Sequence, residues 1–83
     1  MDRNEIRKAV LAELQRIAPE LEPGGVVPSK LLRDQVDLDS MDWLNFLVAL
    51  HENLHVEIPE SDYAHLATLD QIVDYLARRR GAG

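Results

Sequence analysis

Residues 37–54 read DLDSMDWLNFLVALHENL, and apolar side chains return in this run every three or four positions. That period belongs to a helix, and its start is marked. Asp39 stands where an N-cap belongs, with Ser40 the first helical residue. Asp42 falls in the first turn, where a carboxylate meets the positive end of the helix dipole. The spacing predicts a helix from Ser40 to about Leu54. At 100° per residue, Trp43, Phe46, Leu47, Leu50 and Leu54 gather within about 100° of arc and form a core stripe. A second apolar set, Met41, Leu44 and Val48, lies roughly 100–160° round from Trp43. It borders a polar arc of Asp42, Asn45, Glu52 and Asn53. Two readings of this set stand: a wider buried stripe, or an exposed ridge that docks a partner carrying an apolar groove rimmed by Arg or Lys.

Upstream, Ile6, Val10, Leu14 and Ile17 make one stripe of a helix over residues 3–18, started by Asp2 with Glu5 at capping-box spacing and stopped by Pro19. Residues 19–38 contain PELEPGGVVP and read as a loop. Val26, Val27, Leu31, Leu32, Val36 and Leu38 are expected to pin it to a core. Ser29 is placed to cap a single turn through Leu31 and Leu32. Downstream, VEIP leads to a short third helix within residues 60–66. A final helix begins at Thr68, whose hydroxyl and Gln71 complete a capping box. Its stripe is Leu69, Ile72, Val73 and Leu76, with Arg78, Arg79 and Arg80 at the negative end of its dipole. No useful stretch alternates with period 2. The expected fold is all-α: a small four-helix bundle with a long ordered loop between helices 1 and 2 and a short third helix.

The chain has 83 residues, which suits a single domain spanning 1–83. Such a domain buries only roughly 60% of the surface that its unfolded form exposes. There is no cysteine, which excludes a disulfide framework and a thiolate zinc site. No apolar run approaches the ~18 residues of a membrane span. The N-terminus lacks the apolar segment of a signal peptide, so a cytoplasmic protein is expected. The net charge is −6 and unevenly spread. All nine Lys and Arg lie in residues 1–33 and 78–80, while Asp34 to Ala77 holds ten Asp or Glu. An acidic middle argues against nucleic acid, whose phosphates need cations opposite them. It favours partners with basic patches.

His51 to His55 reads HENLH and matches H-E-x-x-H, which on a continuous helix puts two imidazoles on one face for zinc, with Glu52 as base. A catalytic zinc needs a third protein ligand and a cleft. His65 is the one remaining histidine, and His55 falls where the helix should end. No metal is therefore assigned. Two partly exposed histidines that respond to pH are the favoured reading.

Asp39-Ser40-Met41 after a long ordered loop, followed by an apolar helix and then VEIPESDYAHLATLDQIVDYL, resembles the acyl carrier protein family over about residues 2–80. The resemblance implies a non-catalytic carrier. Ser40 would bear 4′-phosphopantetheine, transferred from coenzyme A by a Mg-dependent phosphopantetheinyl transferase. Asp39 would cap the helix and help present the site. A chain without cysteine can hold a thioester only on such an added thiol. Met41, Leu44 and Val48, with Asp42 and Glu52 beside them, match the surface that family partners contact. Those partners would be acyl-activating, acyltransferase or synthase enzymes with basic docking patches, in lipid, polyketide or related biosynthesis. A monomer is expected. An aminoacyl or peptidyl carrier shares the same fold and motif, and an unmodified interaction module shares the fold. The presence of Ser40 argues against the module. The chain departs from the family pattern at Asp37, commonly glycine, at Asn45, His51 and Asn53, commonly acidic, and at Trp43, which is bulkier than usual. These departures point away from a general fatty-acid carrier and toward a dedicated partner set.

Overall fold

A computed structural model of the chain describes residues 2–81, with side chains through Arg79. Asp2 opens α1 (Arg3–Ile17) by accepting the Glu5 N–H at 2.9 Å. Ile6, Val10 and Leu14 are sealed from solvent, and the Ala18 N–H closes the helix on Leu14 O at 2.9 Å. Ile17 is only partly covered; the last buried contact of this stretch is Ala18.

The connection 18–39 is ordered, as expected, but by other means. It contains a 3₁₀ turn at Pro23–Gly25 and one short helix, α2 (Leu32–Gln35). Ser29 does not cap α2, whose N-cap is Leu31 without a side-chain bond. Backbone bonds to a distant segment place the turn instead. The Leu32 N–H donates to Ala67 O at 2.9 Å, and the Asp70 N–H donates to Pro28 O at 3.1 Å. An isolated antiparallel bridge joins Leu31 to Thr68. The Gln35 carboxamide clamps the loop from inside. It accepts the Val27 N–H at 2.7 Å and donates to Val27 O at 2.9 Å and Lys30 O at 3.1 Å. Leu32, Val36 and Leu38 are buried and Val26 partly so, whereas Val27 and Leu31 are exposed and do not pin the loop.

Helix α3 spans Ser40–Leu54, the range that its periodicity predicts. His55 then turns into the left-handed region, φ 53°, and ends it. Val56 and Ile58 are buried with Glu57 exposed between them. The expected third helix is a 3₁₀ helix, Glu60–His65. It is closed by i→i+3 bonds, such as Asp62 N–H to Pro59 O at 2.9 Å and Leu66 N–H to Tyr63 O at 3.1 Å. The last helix, α4 (Leu69–Gly81), starts with the full capping box: Thr68 Oγ1 accepts from Gln71 N–H and Gln71 Oε1 accepts from Thr68 N–H, both at 3.1 Å. Arg79 leaves the helix end for Asp62 at 3.1 Å, and the Arg80 side chain lies outside the described residues.

The three long helices enclose the core. Arg3 pairs with Asp74 at 2.6 Å, and Leu11 and Leu69 line one cleft further along, so α1 and α4 run antiparallel. The end of α3 meets the second half of α1 through Asn53, which donates to Glu13. Among the described residues no polar or charged side chain is buried.

Candidate functional site

The first turn of α3 holds the residues that the sequence singles out. Asp39 is extended (φ −81°, ψ 179°), and its carboxylate accepts the Asp42 N–H at 2.8 Å. Its carbonyl accepts the Trp43 N–H at 3.0 Å. These two bonds leave the N–H groups of Ser40 and Met41 without an acceptor among the described residues, and both side chains are exposed. Ser40 thus offers a hydroxyl at the positive end of a 15-residue helix, beside two free amide donors. A phosphoryl oxygen esterified there finds N–H groups already aimed outward. The donor set therefore fits a phosphodiester. The surrounding acids, Asp37, Asp39 and Asp42, do not attract one, so the covalent bond and not charge must hold it.

The two readings of Met41, Leu44 and Val48 now part. They are 66%, 40% and 42% exposed, while Trp43, Phe46, Leu47, Leu50 and Leu54 face inward at 8% or less. The second set is therefore an exposed apolar ridge, about 10 Å long at 1.5 Å per residue, starting one residue past Ser40. Asp42 is half-buried and Glu52 exposed alongside it. Asn45 is exposed within the same arc, whereas Asn53 is turned to Glu13 on α1 and lies off the ridge.

The H-E-x-x-H geometry fails. His51 donates its Nδ1–H to Val56 O at 2.7 Å, and His55 has left the helix in the left-handed conformation. Among the described residues no group of three His, Cys, Asp or Glu is placed to hold a metal ion.

Two features escaped the sequence reading. One is the Gln35 clamp, which fixes the loop that delivers Asp39 to its cap position. The other joins the 3₁₀ segment to α4. Tyr75 donates its hydroxyl to Asp62 at 2.6 Å, Arg79 donates to the same oxygen, and the Arg79 guanidinium lies 4.8 Å from the Tyr75 ring centroid. Burial, then the hydrogen bond to Asp62, pushes the Tyr75 hydroxyl up to about 12. Neither feature has a periodic signal, because the partners are up to 17 positions apart.

Comparison with known proteins identifies the arrangement. The family model described as the phosphopantetheine attachment site matches residues 5–76. The chain is 33% identical over 70 residues to the meromycolate extension acyl carrier protein of Mycolicibacterium aurum, covering 84% of this chain and 72% of that protein. It is 30% identical over 80 residues to the acyl carrier protein of Rhodococcus erythropolis, covering 93% and 88%. The solved acyl carrier protein of Enterococcus faecalis superposes with a TM-score of 0.77 over 95% of this chain and 99% of that one, at 23% identity, a likeness of fold. A capped apolar helix opening on an exposed serine, in an all-α chain matched almost end to end, belongs to the acyl carrier protein family: a non-catalytic carrier in biosynthesis whose prosthetic group is 4′-phosphopantetheine.

Proposed function

We propose that Ser40 is the attachment residue and that the whole chain works as one monomeric carrier domain in the cytoplasm. The observation that carries this reading is the exposed Ser40 hydroxyl at the first position of α3, next to the Ser40 and Met41 amides, which have no acceptor among the described residues. In the modification, Ser40 Oγ forms a bond to the pantetheine-side phosphorus of coenzyme A. The diphosphate P–O bond breaks, adenosine 3′,5′-bisphosphate leaves, and the hydroxyl proton passes to the transferase. Asp39 positions the serine by capping the helix. The thiol so acquired supplies the thioester chemistry that a chain without cysteine lacks.

Partner enzymes then dock on Met41, Leu44 and Val48, with Asp42 and Glu52 meeting Arg or Lys at the rim. The names of the two relatives favour an acyl cargo over an aminoacyl one, and lipid chain extension as its setting.

The test is a mass measurement. Incubation with coenzyme A, Mg²⁺ and a broad-specificity phosphopantetheinyl transferase is expected to add a single phosphopantetheine. Ser40→Ala is expected to add none while keeping its helical circular dichroism. Modification of the Ala variant, or at Ser29 or Ser61, would sink the assignment.

A further inference from the structure

His51 borders the docking ridge at the end far from Ser40. At 100° per residue it lies about 20° round α3 from Leu44 and about 60° from Val48, while Glu52 lies about 40° from Val48 on the other side. Val48 is thus bracketed by an imidazole and a carboxylate, both exposed. The bond to Val56 fixes what the imidazole offers. Val56 O is a carbonyl and can only accept, so the 2.7 Å contact makes His51 Nδ1 the donor. A neutral imidazole has a single N–H, and this bond uses it. Nε2 keeps a bare lone pair and has no partner among the described residues. The anchor itself is held by the turn at His55, φ 53°, and by the burial of Val56. The far end of the ridge therefore presents two acceptors, His51 Nε2 and the Glu52 carboxylate, on a helix that carries no Lys or Arg.

Resting on the reading of Met41, Leu44 and Val48 as the docking ridge, we propose that His51 is a specificity-determining residue of that ridge, whose Nε2 accepts a hydrogen bond from an Arg or Lys of the partner enzyme beside Glu52. Charge complementarity favours a cation there, and the site is continuous with the apolar contact at Val48. The contact also responds to acid. A protonated ring keeps its Nδ1–H on Val56, but Nε2 becomes a donor and the ring a cation. The partner's cation is then repelled, and docking weakens. A partner with a carboxylate at this point would behave in the opposite way. The charged groups around the ring are Glu52 and His55 on its own stretch, and Glu57 in the segment that it bonds. Glu13 and Arg16 of α1 meet α3 at Asn53, about 160° round the helix from His51.

Long-range proton–nitrogen correlation spectra at pH 8 are expected to show His51 with hydrogen on Nδ1 and none on Nε2. The reverse tautomer would remove the acceptor and overturn the proposal. The functional test uses the phosphopantetheinyl transferase as the docking enzyme, with coenzyme A and Mg²⁺ saturating and the carrier varied. His51→Lys fixes a cation beside Val48 and is expected to raise KM for the carrier at pH 8 by about five-fold or more. Its kcat is expected to stay within about two-fold, because residue 51 stands about 16 Å along the helix from Ser40. His51→Glu keeps an acceptor that does not become a cation. Between pH 8 and pH 6 the ratio of wild-type KM to His51→Glu KM is expected to rise by about three-fold or more. The transferase's own titration cancels in that ratio. A His51→Lys KM equal to that of wild type, or a ratio that is unchanged or falls in acid, would overturn the proposal. Circular dichroism checks each variant, and if His51→Lys does not fold, the tautomer and the KM ratio still decide. Leu44→Ala separates the two readings: a raised KM there with none in His51→Lys removes the role from His51 alone, whereas no effect in either variant removes the ridge.

Discussion

Leu44 and Phe46 stand two positions apart on α3 and face opposite worlds: one is 40% exposed, the other sealed. Their substitutions should separate accordingly. Phe46→Ala or Trp43→Ala is expected to cost about 3–5 kcal/mol, the lost transfer energy plus a cavity. Leu44→Ala or Val48→Ala is expected to change stability by no more than ~1 kcal/mol and yet slow turnover by partner enzymes. Thermal melts beside steady-state kinetics read both, and an unfolded Leu44→Ala with a stable Phe46→Ala would mean that the helix faces are reversed. Tyr75 makes a pH prediction. Its hydroxyl is raised from 10.0 to about 12 in the folded protein. Between those values the folded state keeps a proton that the unfolded state has released. Stability from this group is therefore complete below pH 10 and is lost as pH rises toward 12. Denaturant melts across that range should show a steeper alkaline loss for wild type than for Tyr75→Phe; equal slopes would contradict it.

The elements differ in how plainly the sequence announces them. Both ends of α3 follow from residues inside it or next to it: Asp39 as cap, Asp42 in the first turn, and an apolar period that runs out at Leu54. The start of α4 is equally local, since Thr68 and Gln71 satisfy each other's backbone groups. The connection between α1 and α3 is another matter. Ser29 has the right chemistry for a cap and does not serve as one, because α2 is placed by Ala67, which lies 35 positions from its partner Leu32. Leu31 and Val27 have apolar side chains and face water for the same reason: the backbone bonds on either side fix their direction. The place of Ser40 at the head of α3 and the spacing of the ridge were readable from helix geometry, while the role expected of Ser40 came from the family resemblance; whether the ridge faced solvent was not readable, since that depends on where α1 and α4 pack. The clamp inside the loop is open to a direct test. Gln35→Glu keeps the shape and removes the two donor hydrogens that serve Val27 O and Lys30 O. Because both carbonyls stay open to water, the loss is expected to cost about 0.5–1.5 kcal/mol in a urea melt. Unchanged stability would show that the clamp is incidental.

Across the whole molecule, charge is sorted by position. From Asp34 to Ala77 there are ten acids and no Lys or Arg, and this stretch contains the ridge and Ser40. Asp42→Lys should therefore slow reaction with basic-patched partners chiefly through encounter, and the loss should shrink as added salt shortens the screening length. A loss independent of ionic strength would place Asp42 in a tight contact instead. The pattern of charge was fully legible beforehand, because it follows from composition along the chain, and so were the helical stripes of the core, though not which apolar loop residues join it. The core has a further consequence. With no acid or base trapped inside among the described residues, acidification finds no hidden group to strain against the fold. What protons remove first is mutual repulsion. The chain's six net negative charges vanish near pH 4.8, and native carriers there lose what keeps them apart in solution. Mild acid should cloud a concentrated solution with still-folded protein, which clears again when the pH is restored.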